Sequence, residues 1–512
     1  MIEYCHFQPQ AHQRSSDNLK IEELSVTALN QLQPQALWQW FEQICAIPHP
    51  SKHEQALSEY IQAWAKDKQL SVVEDKVGNL IIKKAATAGM EDRKTVVLQA
   101  HIDMVPQKNA DKVHDFEKDP IDAYVEGDWV KARGTTLGAD NGIGMASALA
   151  VLGADDIVHG PLEVLLTIDE EAGMTGAFGL EAGMLEAEIL INTDSEQEGE
   201  IYMGCAGGVD GQISVPIVWQ SPKPSNSSYT LSLAGLKGGH SGVNIHLGRG
   251  NANKLLARFL FDHSDELALE LTNFTGGSLR NAIPREAQIS FMLPAENVTL
   301  LQSRISEFQA LVRQELAIAD PDTELTLTEI PAETKVMSED SQQILIDILN
   351  ACPNGVVRMS DEVEGVTETS LNVGVISTET DSVQVLCLIR SLIDSGREEI
   401  EGVLTSLSNL AGANVEFSGA YPGWKPDNSS PVMASVRETY EDIYNKEPTI
   451  MVIHAGLECG LFKKPYPEMD MVSIGPTIRY PHSPDEKVNI TTVGQYWKLL
   501  LAVLERTPVK GS

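Results

Sequence analysis

Paired cysteines are missing from this 512-residue chain: its six thiols (Cys5, Cys45, Cys205, Cys352, Cys387, Cys459) are scattered, with no C-x-x-C pair. That spacing indicates neither a thiolate zinc site nor a disulfide framework, and a reducing compartment fits it. No run approaches the ~18 uninterrupted apolar residues of a membrane span. The opening stretch, MIEYCHFQPQAHQRSSDNLK, lacks the basic start and apolar core of a signal peptide, so a cytoplasmic protein with no membrane partner is expected. Basic charge is also scarce. Lys and Arg number 38 against 73 Asp and Glu, giving a formal charge of -35, and no Lys/Arg cluster with interleaved aromatics offsets it. Repulsion from a phosphate backbone argues against nucleic acid as a partner. The chain has no G-x-x-x-x-G-K-[ST] phosphate loop and no G-x-G-x-x-G, and Gly239-His240-Ser241-Gly242 misses the G-x-S-x-G elbow of a serine hydrolase.

What is present is ample core material, 42% apolar residues in a length that suits several domains. Residues 1–24 are polar and glutamine-rich and are expected to be a flexible extension. Helical spacing runs from Pro34 to Leu70, and VVEDKVGNLIIKK reads as two short strands around a Val-Gly-Asn turn. TVVLQAHID (95–103), LEVLLTIDEE (162–171) and AEILINTDSE (187–196) are near-continuous apolar runs that end abruptly in His, Asp or Glu. Runs of this kind suit strands buried on both faces, with helices such as 141–154 between them. In such sheets, ligands gather beyond the carboxyl ends of the strands. MDMVSIGPTIRYPHSPDE (469–486) adds a fourth strand, running into a Pro-bracketed loop with His482. The region 207–400 alternates strands and helices differently and reads as an inserted α+β lid. The expected fold is therefore α/β, a mixed, largely parallel sheet flanked by helices, built from 25–206 and 401–512 with the lid between them.

Singly, the polar residues at these strand ends have bland readings beside functional ones. His101 and Asp103 share a strand face, so Asp103 can brace the imidazole while its other nitrogen meets a metal. Asp140, at a helix start, and Asp194, at the end of INTD, could instead be helix caps. Glu170 and Glu171 can reach one site only if the chain has already bent out of its strand, and the flanking Ala172-Gly173 allows that bend. One of the two would then be a ligand and the other a free base, because a carboxylate tied to a metal cannot also accept water's proton. Together, two imidazoles and three carboxylates suit a pair of zinc ions bridged by one carboxylate.

HIDMVPQ, LGADNGIGMASALA, DEEAGMTGAFGL, NTDSE, GLKGGHSG, HAGLECG and GPTIRYPHSPDE, taken in order, resemble the aminoacylase/carboxypeptidase family of two-zinc amidohydrolases from about Ser25 onward. The resemblance implies that Asp140 bridges two Zn2+, with His101 and Asp194 on one and Glu171 and His482 on the other, and that Co2+ or Mn2+ can substitute. It implies Glu170 as general base, Asp103 as clamp of His101, and His240 as support for the oxyanion, in relatives often from a partner subunit. It further implies substrate contacts from Asn281, from Arg390 to a terminal carboxylate, and from the Gly456 backbone. Duller roles stay open for three of these: a turn residue for His240, a structural ion pair for Arg390 and a backbone partner for Asn281. The implied activity is hydrolysis of unblocked dipeptides, with histidine in the second position, by a homodimer joined through its lid. N-acyl amino-acid deacylation, a catalytically silent metal-binding scaffold and serine hydrolysis through Ser241 are the alternatives.

Overall fold

In the computed structural model, which describes residues 29–511, the strand Val96–His101 lies between Leu162–Thr167 and Ile189–Asn192 and runs parallel to both. The extension expected at 1–24 lies outside the described residues. All three strands are buried along their whole length. Val96, Leu98 and Ala100 enter a core with the helices Gln35–Ala46, Ala139–Gly153 and Ile490–Glu505. Val97 enters a separate core with Leu165 and Leu190. Alternate residues of one strand thus meet cover on opposite faces, which is why the apolar runs are continuous instead of alternating.

These strands are the centre of an eight-stranded sheet. Ser71–Glu74 and Leu80–Lys84 form the expected hairpin at one edge, antiparallel to Leu162–Thr167. Beyond Ile189–Asn192 come Asp470–Ser473, Glu200–Cys205 and Thr449–Ile453, so the chain's last third supplies two strands. Asp470–Ser473 pairs parallel with Ile189–Asn192 and delivers the His482 loop to the same end of the sheet.

A second, nine-stranded antiparallel sheet begins at Gly207, with the helices Ala252–Leu267, Val298–Glu315, Glu339–Ala351 and Asp394–Ala411 sharing its core. A boundary at 400 would cut the last of these helices. Moreover, Asn414–Tyr421 pairs with Gly207–Pro216 within this sheet, so the second unit extends to Tyr421. The two passages between the sheets lie side by side: the Cys205 N–H donates to Trp424 O (3.0 Å) and the Trp424 N–H to Cys205 O (2.9 Å). Among the described residues, no helix is long and apolar enough to cross a membrane.

Candidate metal centre

The parallel strands end within reach of one another, and the polar groups sit at those ends or in the loops just beyond them. His101 closes its strand, fully buried. Its Nε2 is 3.3 Å from Asp140 Oδ1 and 3.4 Å from Asp194 Oδ1. His482 Nε2 is 3.3 Å from Asp140 Oδ2 and 3.0 Å from Glu171 Oε2. The two oxygens of Asp140 therefore face different imidazoles. Two triads result, His101–Asp140–Asp194 and Asp140–Glu171–His482, and Asp140 belongs to both; a third group brings His101, Glu170 and Glu171 together.

The capping readings of the two aspartates do not hold. Asp140 sits inside the helix Ala139–Gly153 with non-helical dihedrals, the cap position is Gly138, and no side chain caps the helix. After Asp194 the next element is the strand Glu200–Cys205, so there is no helix to cap. Asn141 instead donates to the Asp194 carboxylate.

The chain bends before the glutamate pair and not at Ala172-Gly173 as expected. Asp169 adopts a left-handed conformation (φ 55°), and a short helix, Glu170–Gly173, turns both glutamates toward the site. Two distant carboxylates hold that turn. Glu54 accepts the Asp169 N–H (3.1 Å), while Asp103 accepts the Glu170 N–H at Oδ1 (3.0 Å) and the Glu171 N–H at Oδ2 (3.2 Å). Asp103 also lies 3.4 Å from His101 Nδ1 through Oδ1, and its backbone oxygen accepts from that nitrogen at 3.0 Å. One aspartate thus orients the imidazole and both glutamates. Glu171 touches His482, whereas the Glu170 carboxylate, though gathered near His101, makes no ion pair with either imidazole among the described residues.

Acid outweighs base here. Burial pushes Asp194 up to about 7 and Glu196 up to about 8, and it raises Glu171 and, further, Glu170. Burial would lower His101, but Asp194, Asp103 and Asp140 outweigh it and raise that imidazole well above its ordinary value. Hydrogen bonds to Asp140 and Glu171 raise His482 to about 11. Such an excess of converging carboxylate calls for cations. Tetrahedral coordination at zinc distances sets neighbouring donor atoms about 3.4 Å apart, and the N···O separations above match it. Glu171 Oε1, buried without a hydrogen-bond partner, is a further free donor atom. The residues present therefore fit a pair of divalent ions.

A cavity of about 1070 Å³ at this site reaches the second unit, where His240, Asn281 and Arg390 line it, with Gly456 joining from the first unit. His240 Nδ1 accepts the N–H groups of Gly242 (3.1 Å) and Val243 (3.0 Å), which places its proton on Nε2 and leaves that N–H free to donate. Burial and the neighbouring Arg390 lower its pKa to about 4, keeping the ring neutral. Arg390 is buried, donates to the Tyr421 hydroxyl (3.0 Å), and makes no ion pair among the described residues. Asn281 lies beside His240, because His240 pairs with Ala282 across two short strands, and its side chain makes no hydrogen bond among the described residues. Gly456 packs its Cα side against Met174 and Tyr421. Ser241 Oγ is buried without a partner, so no base activates it as a nucleophile.

Besides Glu54, two supporting carboxylates escaped sequence reasoning. Glu486 accepts four successive backbone N–H groups, from Leu137 (2.7 Å), Gly138 (3.0 Å), Ala139 (2.8 Å) and Asp140 (3.3 Å). It lies four residues after His482, so one loop supplies an imidazole and fixes Asp140 opposite it. Glu458 accepts from Gln99 Nε2 (2.6 Å) and Thr167 Oγ1 (2.7 Å), tying the strand ends of His101 and the glutamate pair to the Gly456 loop. Replacing Glu486 with Ala is expected to weaken metal retention 10–100-fold, the usual cost of losing a group that orients ligands. Competition with a chromophoric chelator measures this, and unchanged retention would remove Glu486 from the site.

Fold and site together define a hydrolase of the metal-dependent peptidase class, and the chain belongs to peptidase family M20/M25/M40, whose profile matches residues 97–506. It is 59% identical over 485 residues to the cytosol non-specific dipeptidase of Escherichia coli K12, covering 95% of this chain and 100% of the relative. The crystal structure of aminoacylhistidine dipeptidase from Vibrio alginolyticus matches with a TM-score of 0.89 and 61% identity, over 95% of this chain and 99% of that one. An aminopeptidase from Bacillus cereus, at 17% identity and a TM-score of 0.58 over 93% and 98%, shares the fold.

Proposed function

We propose that the chain is a metal-dependent dipeptidase, that it takes two zinc ions on His101, Asp140, Glu171, Asp194 and His482, and that Xaa-His dipeptides are among its substrates. One observation carries this reading: the two oxygens of Asp140 face two separate imidazoles in a cavity that also contains a guanidinium with no ion pair among the described residues. Bound divalent ions would polarise the scissile carbonyl and acidify a water. Glu170, next to the ligands but ion-paired to neither imidazole, takes the proton of the attacking water and passes it to the leaving amine. Asp103 keeps Glu170 aimed through its backbone. His240 offers its Nε2 proton to the developing oxyanion. Arg390, with no carboxylate of its own, binds the C-terminal carboxylate bidentately, and Asn281 and the Gly456 backbone complete the grip.

The donor set of nitrogen and oxygen atoms suits zinc and also admits cobalt or manganese. The second unit, taken as 207 to 421, acts as a lid over the first. A homodimer through it draws support from Val356, Val357 and Met359, which are exposed on the strand Gly355–Met359. A cytoplasmic location accords with the E. coli relative, and a broad dipeptide range with the two relatives' differing names. The test is a panel of Ala-His, Gly-His, other dipeptides and N-acetyl amino acids, assayed on chelator-stripped protein with zinc, cobalt or manganese added back. Dipeptide cleavage that vanishes on stripping and returns with metal is expected. Activity indifferent to stripping would refute the reading.

A further inference from the structure

Six carboxylates line the cavity at the candidate metal centre, and five have a role or partner. Asp140, Glu171 and Asp194 form the triads, Glu170 is the base, and Asp210 is paired with Arg280 at 2.7 Å. The sixth, Glu196, stands two residues beyond Asp194. Its carboxylate has no hydrogen-bond or ion-pair partner among the described residues. Neighbouring donors are turned elsewhere: the Tyr202 hydroxyl donates to Glu200 (2.6 Å), and Arg479 spends its guanidinium on Gln197 and on backbone oxygens. An unpaired, half-buried carboxylate on a substrate cavity is costly unless an incoming cation meets it.

Resting on the dipeptidase reading above, we propose that Glu196 is the receptor for the substrate's free α-ammonium group. A single carbon separates that nitrogen from the scissile carbonyl, so its receptor has to border the metal ligands without being one of them. Glu196 occupies that position. Arg390, which lines the same cavity from the second unit, would meet the opposite charge at the other end of the substrate. An ammonium receptor forbids a residue before the first amino acid and a carboxylate receptor forbids one after the second, so the pair measures out two residues. The same carboxylate selects against N-acylated substrates, which bring no cation to it and leave it desolvated.

Ala-His and its des-amino counterpart, propionyl-histidine, differ only in that ammonium. Their kcat/KM values are compared on the full-length, zinc-loaded protein, on Glu196→Gln and on Glu196→Asp, with metal content measured for each. The original protein should prefer Ala-His. In Glu196→Gln that preference should fall at least ~10-fold, mainly through a higher KM for Ala-His, because a charge-assisted contact is replaced by a neutral one. Glu196→Asp should retain part of it. An unchanged preference in Glu196→Gln, an equal loss on both substrates, or loss of metal would each overturn the assignment. If the original protein cleaves neither compound, or favours propionyl-histidine, the dipeptidase reading itself fails and takes this inference with it.

Discussion

Glu170→Ala should lower kcat more than ~100-fold while leaving metal content unchanged, since removing a general base usually costs 10²–10⁴. The separation of these two effects comes from the geometry. The Glu171 carboxylate is 3.0 Å from His482 Nε2, whereas Glu170 makes no such contact, so its loss leaves both triads complete. Asp103 holds Glu170 by its backbone N–H, and that bond survives truncation of the side chain. Single-turnover hydrolysis of Ala-His, with metal analysis alongside, reads both quantities. A near-normal rate would strip Glu170 of its role. Loss of metal together with rate would make it a ligand.

Asp140→Ala should have the opposite signature, abolishing metal retention and turnover together. Asp140 alone belongs to both of these triads, and its removal leaves His101 and His482 without a shared ion-pair partner among the described residues. Groups that merely orient a ligand cost 10–100-fold in metal affinity, so loss of a shared ligand should exceed ~100-fold. The supporting loop should persist, because Glu486 holds the Leu137–Asp140 segment through main-chain N–H groups. An unchanged melting temperature for the metal-free variant would check that. Retention of two equivalents of zinc by Asp140→Ala would rule out a bridging carboxylate.

The elements that deliver these residues were legible where the physics is local. A continuous apolar run ending in His or Asp announces a strand covered on both faces, and the strands Val96–His101, Leu162–Thr167 and Ile189–Asn192 meet that description. Legibility failed where a distant contact decides. Nothing near Asp169 announces a left-handed residue, because the hydrogen bond that holds it comes from Glu54, 115 positions away. Glu486 and Glu458 likewise work by holding segments remote in sequence, so neither carries a local pattern. The end of the second unit was misjudged for a related reason. The helix Asp394–Ala411 is amphipathic and would suit either sheet, and only the pairing of Asn414–Tyr421 with Gly207–Pro216 assigns it.

The reciprocal bonds between Cys205 and Trp424 have a bearing on ancestry and engineering. A guest whose entrance and exit stand one strand spacing apart, ~5 Å, can be removed or exchanged with a tight turn closing the gap. The host keeps its register through such a swap, so new covers, each bringing its own counterparts of His240 and Arg390, can be grafted over the five side chains of the two triads.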